Sequence, residues 1–202
     1  MRERLVVLIS GSGTNMQALV GACQRRDVPG YVRGVVADRQ CPGVEWAAAN
    51  NIPFVVVEPG PYPTRDDWSR ELRDRILEAQ ADVVVSAGFM RILSPIFVDA
   101  FPGRLINLHP SLLPAFPGAH AVRDALAAGV KVTGTTVHFV DHLVDHGPII
   151  LQEPVRVEPN DTESLLHERI KEVEHRLLPE ACRLMLENRV KIVKGRVVIR
   201  HP

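Results

Sequence analysis

The stretch Leu-Val-Val-Leu-Ile-Ser-Gly-Ser-Gly-Thr-Asn, residues 5–15, decides the fold. Its first five residues are all aliphatic, which predicts a strand buried on both faces of a sheet. A helix is predicted next, over residues 15–25, because apolar side chains recur there at helical spacing. These side chains belong to Met16, Leu19, Val20 and Cys23. A buried strand that turns through glycines directly into a helix is typical of a parallel α/β sheet.

The alternation of short apolar runs and helical patterns continues through the first half of the chain. Further strands are predicted at residues 32–37, 54–57, 83–86 and 105–107. Helices are predicted between them at residues 44–51, 65–79 and 94–101. Ser94 is expected to cap the last of these helices, with Pro95 in its first position. The pattern predicts an α/β fold, an open and mostly parallel Rossmann-like sheet with helices on both faces and right-handed crossovers.

The second half of the chain has a different pattern. The remaining predicted strands are residues 133–140, 149–157, 190–193 and 196–199. The first two lack intervening helices and are expected to add a mixed or antiparallel C-terminal extension, whereas the last two resemble a terminal hairpin. A long helix is predicted over residues 162–188, capped by Asp161 and interrupted near Pro179. No linker is visible, so residues 1–202 are expected to form one domain.

The composition excludes several classes of protein. The 202 residues include 24 Lys and Arg against 24 Asp and Glu, and a net charge of zero argues against nucleic-acid binding. Hydrophobic residues make up 46%, which excludes a disordered chain. The aliphatic run at residues 5–9 is far shorter than the ~20 residues that span a bilayer, and no secretory signal is visible. The sequence therefore predicts a cytoplasmic protein, with Cys23, Cys41 and Cys182 as reduced thiols.

Two glycines mark the loop between the first strand and the first helix. Gly11 and Gly13 allow a tight turn, and the amides at the helix start then favour an anion. A dinucleotide-binding fingerprint would need a third glycine in place of Met16, and a Walker loop would need a lysine. The loop therefore predicts a nest for a single phosphate. The alternative is a glycine turn that merely connects strand and helix.

The segment Leu-Ile-Asn-Leu-His-Pro, residues 105–110, carries the sharpest functional signal. Asn107 and His109 are two residues apart at a strand end, so their side chains share one face. The predicted position is the carboxyl edge of the parallel sheet, where open α/β sheets bind ligands. An imidazole moves protons near neutral pH, and a carboxamide donates to an oxyanion without adding charge. The pair predicts acyl transfer by direct attack of a substrate amine, and a structural histidine is the alternative.

An acidic partner for His109 is expected between the two long strands. Asp145 precedes a Gly-Pro turn, Asp141 competes with it, and the residues alone leave both open. A carboxylate there would favour the imidazolium form of His109. The histidines at positions 138, 142 and 146 are four residues apart, but on a strand and loop this spacing does not define one face, so no metal site is predicted.

Three motifs occur in order along the chain. They are Ser10-Gly-x-Gly-Thr-Asn15, Asn107-x-His-Pro-Ser-Leu-Leu-Pro114 and Asp145-x-Gly-x-Ile-x-x-Gln152. Together they resemble the phosphoribosylglycinamide formyltransferases, folate-dependent enzymes of de novo purine (IMP) biosynthesis, over residues 5 to about 178. The resemblance implies transfer of a formyl group from 10-formyltetrahydrofolate to the glycinamide amine of phosphoribosylglycinamide. The products would be formylglycinamide ribonucleotide and tetrahydrofolate.

The resemblance also implies roles for individual residues. Asn107, His109 and Asp145 would form the catalytic trio, in which Asn107 and His109 stabilise the oxyanion and Asp145 keeps His109 protonated. By this analogy Asp145 is preferred to Asp141. The ribonucleotide would be bound by Gly13, Thr14, Asn15 and Glu174. Folate would be bound by Arg65, Met90, Arg91, Ile92, Leu93, Asn107, Asp141 and Asp145. Residues 1–107 would form a nucleotide-binding half, and residues 108–202 a folate and catalytic half.

Further expectations follow from the same resemblance. The Leu113–Pro114 peptide bond is expected to be cis. Many members of the family have a small residue at the position of His146. This difference is expected to affect the conformation of the folate loop and the pH dependence of activity. The substrates are expected to be small molecules, without metal, nucleic acid or membrane. Apart from the resemblance, the strand pattern leaves an exposed edge near the fourth or fifth strand that would allow a homodimer, although nothing in the sequence requires one.

Three other functions compete with this one. Formyltetrahydrofolate hydrolase uses water as acceptor and carries an N-terminal regulatory domain, for which no room is expected before residue 5. Methionyl-tRNA formyltransferase needs a basic C-terminal RNA-binding domain, which the length and net charge do not suggest. A non-catalytic nucleotide-binding module would use the glycine loop alone, and the trio of Asn107, His109 and Asp145 argues against it.

Overall fold

Strands and helices alternate along residues 3–200, the part of the chain that the structure, a computed structural model, describes. The strands are β1 (Glu3–Ile9), β2 (Gly30–Ala37), β3 (Phe54–Val56), β4 (Val83–Ser86), β5 (Leu105–His109), β6 (Val132–Phe139), β7 (Ile149–Arg156), β8 (Val190–Val193) and β9 (Arg196–Ile199). The helices are α1 (Thr14–Arg25), α2 (Pro42–Ala49), α3 (Arg65–Glu78), α4 (Pro95–Val98), α5 (Ala121–Ala127) and α6 (Glu163–Leu186). The first seven strands form one sheet in the order β3-β2-β1-β4-β5-β6-β7.

Strands β1 to β5 are parallel, and β1 lies at their centre. Leu5, Val7 and Ile9 pack on one face of the sheet with α1 and α6. Val6 and Leu8 pack on the other face with α3 and α4. All five are at most 1% exposed, which explains why the run is aliphatic at every position. The predicted fold class, an open and mostly parallel sheet covered on both faces, is confirmed.

The C-terminal extension of the sheet is antiparallel, as predicted. β6 runs antiparallel to β5, and β7 runs antiparallel to β6. Their register places Asn107 opposite His138, and His109 opposite Thr136. Helix α5, which precedes β6, was not predicted, because its seven residues are too short for a helical period to stand out.

The long helix α6 runs without a break through Pro179, so the predicted interruption is wrong. Leu178 and Cys182, on either side of the proline, are both fully buried at 0% exposure. Their packing in the core stabilises a helix that continues through a residue without a backbone donor.

Of the two predicted helix caps, Ser94 is confirmed in position and Asp161 is wrong. Thr162, not Asp161, caps α6, because its side-chain oxygen accepts a backbone N–H of the first turn. The Asp161 carboxylate instead accepts two hydrogen bonds of 2.8 Å from Arg169. Ser94 occupies the cap position of α4, but its hydroxyl makes no capping bond. Its amide donates to the Ser69 hydroxyl at 3.3 Å.

The outer strands of the large sheet are β3 and β7. Because β4 and β5 lie inside the sheet, the prediction of an exposed edge near the fourth or fifth strand is wrong. β8 and β9 pair as the separate antiparallel hairpin that the sequence predicts. Within residues 3–200, no helix is both long and apolar enough to cross a membrane.

Candidate functional site

Asn107, His109 and Asp145 meet at the carboxyl end of β5. The His109 Nδ1 atom lies 3.4 Å from Asp145 Oδ2, and Asn107 Nδ2 donates to Asp145 Oδ1 at 3.4 Å. The His109 and Asp145 side chains are 6% and 11% exposed. The structure therefore brings the predicted trio together and places Asp145, rather than Asp141, beside the imidazole.

His109 lies between two hydrogen-bond acceptors. Its Nε2 atom is 2.9 Å from the carbonyl oxygen of Phe116, which can only accept, so Nε2 carries a hydrogen. A second hydrogen, at Nδ1, would face the Asp145 carboxylate. The surroundings are complementary to a protonated imidazole that donates at both nitrogens. Asp145 also accepts the N–H of Gly118 at 2.8 Å, which ties the segment after β5 to the trio.

His138 completes the cluster, and the sequence analysis gave it no catalytic role. Its Nδ1 atom lies 2.8 Å from the Phe139 carbonyl oxygen and must donate to it. Burial lowers the pKa of His138, which keeps the ring neutral. The free Nε2 lone pair therefore accepts the Asn107 amide N–H at 3.2 Å. Only the antiparallel β5–β6 register, which no local pattern encodes, could have revealed this contact.

A cleft of about 360 Å³ opens beside the trio. Its lining includes Met90, Arg91, Ile92, Leu93, Asn107, His109, His138, Asp141, Leu143, Val144 and Asp145. Seven of the eight predicted folate-binding residues are in this set. Arg65, the eighth, is exposed at the start of α3 and does not line the cleft. Its predicted approach to the folate has no support in the structure.

The glycine loop is built by close backbone packing. Gly13 caps α1 in the left-handed conformation, with φ at 69°, a conformation that favours glycine. A Cβ atom at Gly43 would lie 2.6 Å from the Ile9 side chain and 2.9 Å from the Gly11 carbonyl oxygen. The loop can therefore fold tightly over the start of α2, and Thr14 begins α1 directly behind it. The phosphate nest itself stays a prediction.

Glu174 on α6 is buried at 4% exposure, so a solvated helix face is excluded. Its Oε2 atom accepts a hydrogen bond of 2.8 Å from Asn15 Nδ2. The Thr135 hydroxyl lies 3.5 Å from Glu174 Oε1 and 3.1 Å from the carbonyl oxygen of His109. Since one hydroxyl hydrogen serves only one of these oxygens, the geometry favours a protonated Glu174. Burial raises the pKa of Glu174, in the same direction.

The loop between β6 and β7 forms one lip of the cleft. His146 Nδ1 lies 2.9 Å from Asp141 Oδ2, and His142 Nε2 lies 2.7 Å from Asp99 Oδ1. These histidines therefore have separate carboxylate partners. Among residues 3–200, no group of three or more His, Cys, Asp or Glu side chains is placed to share a metal ion.

Some motif residues shape the site without lining the cleft. A Cβ atom at Gly147 would lie 1.9 Å from the Phe139 carbonyl oxygen, so no other residue fits there. The Gln152 amide donates to the Leu113 carbonyl oxygen at 2.8 Å and holds the segment after β5. The Leu113–Pro114 peptide bond is cis, as predicted.

Comparison with known proteins identifies the family. A family model described as formyl transferase matches residues 3–182. A phosphoribosylglycinamide formyltransferase of Mycobacterium tuberculosis is 48% identical over 190 residues, covering 94% of this chain and 88% of the relative. One of Escherichia coli is 42% identical over 189 residues, covering 93% and 89%.

A solved structure agrees with these relatives. The crystal structure of glycinamide ribonucleotide transformylase 1 from Symbiobacterium toebii superposes with a TM-score of 0.96 at 46% identity. The match covers 98% of this chain and 94% of that one. The chain therefore belongs to the phosphoribosylglycinamide formyltransferase family.

Proposed function

We propose that this protein transfers the formyl group of 10-formyltetrahydrofolate to the amine of phosphoribosylglycinamide, and that the amine attacks the formyl carbon directly. The observation that carries this proposal is the cluster of Asn107, His109 and Asp145 at the wall of a cleft of about 360 Å³. Such a volume suits a small ligand. The cluster combines a neutral amide donor, an imidazole and a carboxylate, the groups that amide-forming acyl transfer needs.

Each member of the trio has a separate task in this proposal. Asn107 donates an N–H to the carbonyl oxygen on which negative charge develops, in place of its long 3.4 Å contact with Asp145. Its other N–H remains on His138 at 3.2 Å, which fixes the amide plane. The His109 imidazolium supplies the second donor, a positively charged one, when one of its N–H groups turns from its present acceptor to the oxyanion, and it moves a proton. Asp145 balances the imidazolium charge and accepts a proton through water.

The cleft is the proposed folate site. The co-substrate supplies the formyl group, and the segment Met90-Arg91-Ile92-Leu93 offers backbone donors and acceptors for a flat heterocycle. Met90, Ile92, Leu143 and Val144 are between 53% and 65% exposed at the rim, where an aromatic ring system would cover them. Asp141 lies on the opposite lip.

The ribonucleotide is assigned to the neighbouring glycine loop. The amides of Gly13, Thr14 and Asn15 stand at the start of α1 and would hold the phosphate. Glu174, joined to Asn15, would bind the ribose or glycinamide end. The division into a nucleotide-binding half and a folate half is part of the same proposal, although Met90 to Leu93 belong to the first half and Glu174 to the second. The single-domain organisation, a homodimer and the absence of a metal requirement also stay predictions.

The deciding experiment measures formyl transfer directly. The protein is mixed with 10-formyltetrahydrofolate, or with a deaza analogue that carries a chromophore, and cofactor absorbance is followed with and without the ribonucleotide. Turnover that requires the ribonucleotide is the expected result. Turnover without it would indicate the hydrolase, and no turnover from folded protein would indicate a non-catalytic binding module.

A further inference from the structure

Asp38 is a buried carboxylate between the glycine loop and the folate cleft. It follows β2 directly, and its side chain is 0% exposed. Arg39 Nη2 lies 2.9 Å and Arg91 Nε lies 2.7 Å from its Oδ2 atom. Burial would raise the pKa of Asp38, but hydrogen bonds from Arg39, Arg91 and Ser10 outweigh it and lower that pKa. The group is therefore a charged anion.

Ser10 contacts a second residue of the cleft wall. Its hydroxyl oxygen accepts the backbone N–H of Met90 at 2.8 Å, and Ser10 is among the groups that lower the pKa of Asp38. Ser10 is also the first residue of the glycine loop, and its own amide donates to the Gly88 carbonyl oxygen at 3.1 Å. Asp38 thus binds the Arg91 side chain directly, and Ser10 holds the Met90 backbone next to it.

In dinucleotide-binding folds, an acidic residue at the end of this strand binds a ribose hydroxyl. Asp38 is unavailable for that task, because its side chain has no exposed surface and Arg39 and Arg91 already donate to its oxygens. A carboxylate that is satisfied within the protein orients its partners instead. Its partner Arg91 and the neighbouring Met90 both line the cleft.

We infer that Asp38 is a positioning residue for folate binding, which fixes the cleft wall at Met90 and Arg91 and ties it to the glycine loop through Ser10. This inference rests on the proposed folate site. It gives Arg91 a defined role: its guanidinium anchors the segment, and the backbone of residues 90–93 faces the ligand.

The test compares Asp38→Asn with Asp161→Asn. Asp161 is a matched control, since its side chain is 3% exposed and accepts two hydrogen bonds from Arg169, and neither residue lines the cleft. Asp38→Asn is expected to raise the KM for the folate about tenfold, as for loss of charge-assisted hydrogen bonds, with kcat and the ribonucleotide KM within about twofold. Asp161→Asn is expected to change none of the three constants. Ser10→Ala, which keeps both arginine contacts, is expected to raise the folate KM about threefold.

Calorimetric titration with 10-formyl-5,8-dideazafolate separates this inference from the proposed reaction. If the wild-type protein binds the probe but shows no formyl transfer, the proposed reaction is contradicted. The Kd of Asp38→Asn for the probe still tests the inference in that case. An unchanged Kd and folate KM in Asp38→Asn would overturn it. Equal increases in the folate KM and the ribonucleotide KM of Asp38→Asn would mean that Asp38 only stabilises the fold. The same conclusion would follow if Asp161→Asn raised the folate KM equally. If Asp38→Asn does not fold, Ser10→Ala becomes the test, and an unchanged folate KM in that variant overturns the inference. If the wild-type protein does not bind the probe at all, both the proposed function and the inference are overturned.

Discussion

Asn15 and Glu174 are 159 positions apart in the chain, yet the Asn15 amide donates to the Glu174 carboxyl group at 2.8 Å. This bond joins the helix behind the glycine loop to the long helix α6. Glu174 also approaches Thr135, whose hydroxyl contacts the His109 backbone. The proposed ribonucleotide site and His109, the proposed catalytic histidine, are therefore connected through one buried carboxyl group.

Replacing Glu174 by glutamine tests its protonation. Burial raises the pKa of Glu174 in the native state above 4.5, the ordinary value that applies to the unfolded chain. Between these two pKa values the native state holds a proton that the unfolded chain has released. The free energy of unfolding of the wild type should therefore fall as pH rises from 4.5 to the raised pKa, by up to about 1.4 kcal/mol per pH unit. Glu174→Gln lacks this titration and should gain stability relative to the wild type across the same window.

Urea denaturation of both proteins at pH 5 and pH 8 measures this difference. A gap between the two proteins that does not change with pH would mean that Glu174 is ionised throughout, in contradiction to the geometry. Glu174→Ala is the companion variant, because it removes the Asn15 contact and should raise the ribonucleotide KM.

His109→Ala should remove most of kcat, by about 10²- to 10⁴-fold, because it deletes the group that moves the proton. Ribonucleotide binding should stay largely intact, since the glycine loop does not contact the imidazole. Single-turnover kinetics and calorimetric titration with the ribonucleotide measure the two quantities. Nearly unchanged kcat in a folded variant would contradict the proposed mechanism.

Asp145→Asn should also lower kcat, by about 10²-fold or more, because a neutral amide no longer balances the imidazolium. The new carbonyl oxygen can still accept the Gly118 N–H, so the Tm should change little. Steady-state rates between pH 6 and 9 and thermal unfolding check both expectations. The matched control is Asp141→Asn on the same lip, which should affect the folate KM rather than kcat.

His138→Phe keeps the bulk of the ring but removes the acceptor for the Asn107 amide. The amide then loses its fixed plane, and kcat should fall about tenfold or more, as when an oxyanion donor is misplaced. The half-buried His167 on α6 provides a control, and His167→Phe should leave kcat unchanged. Equal rates in the two variants would show that His138 does not orient Asn107.

Gly43→Ala should disturb the glycine loop, because the added Cβ atom would lie 2.9 Å from the Gly11 carbonyl oxygen and 2.6 Å from Ile9. Overpacking of this kind costs about 1–3 kcal/mol. The ribonucleotide KM should rise while the folate KM stays constant. Gly60→Ala, where nothing lies within 4 Å, is the control for an added methyl group. A parallel rise in both KM values would argue against a separate ribonucleotide loop.

Local patterns along the chain were sufficient for the architecture and for part of the site. The aliphatic run at residues 5–9 predicts a doubly covered strand, since each side chain must face one of two cores. The spacing of Asn107 and His109 places both side chains on one face of β5, because side-chain direction repeats every two residues. These features depend on neighbours in sequence, and for that reason they were predicted correctly.

Tertiary structure decided the rest, because it depends on which distant elements pack together. The β5–β6 register brings His138 to Asn107, and the course of the β6–β7 loop selects Asp145 over Asp141. The same packing carries α6 through Pro179. Glu174 and Asp38 are buried in the structure, and no periodicity in the local sequence indicates this burial. The sequence by itself determined the fold and the pair of residues at the strand end, and long-range packing determined the partners of that pair.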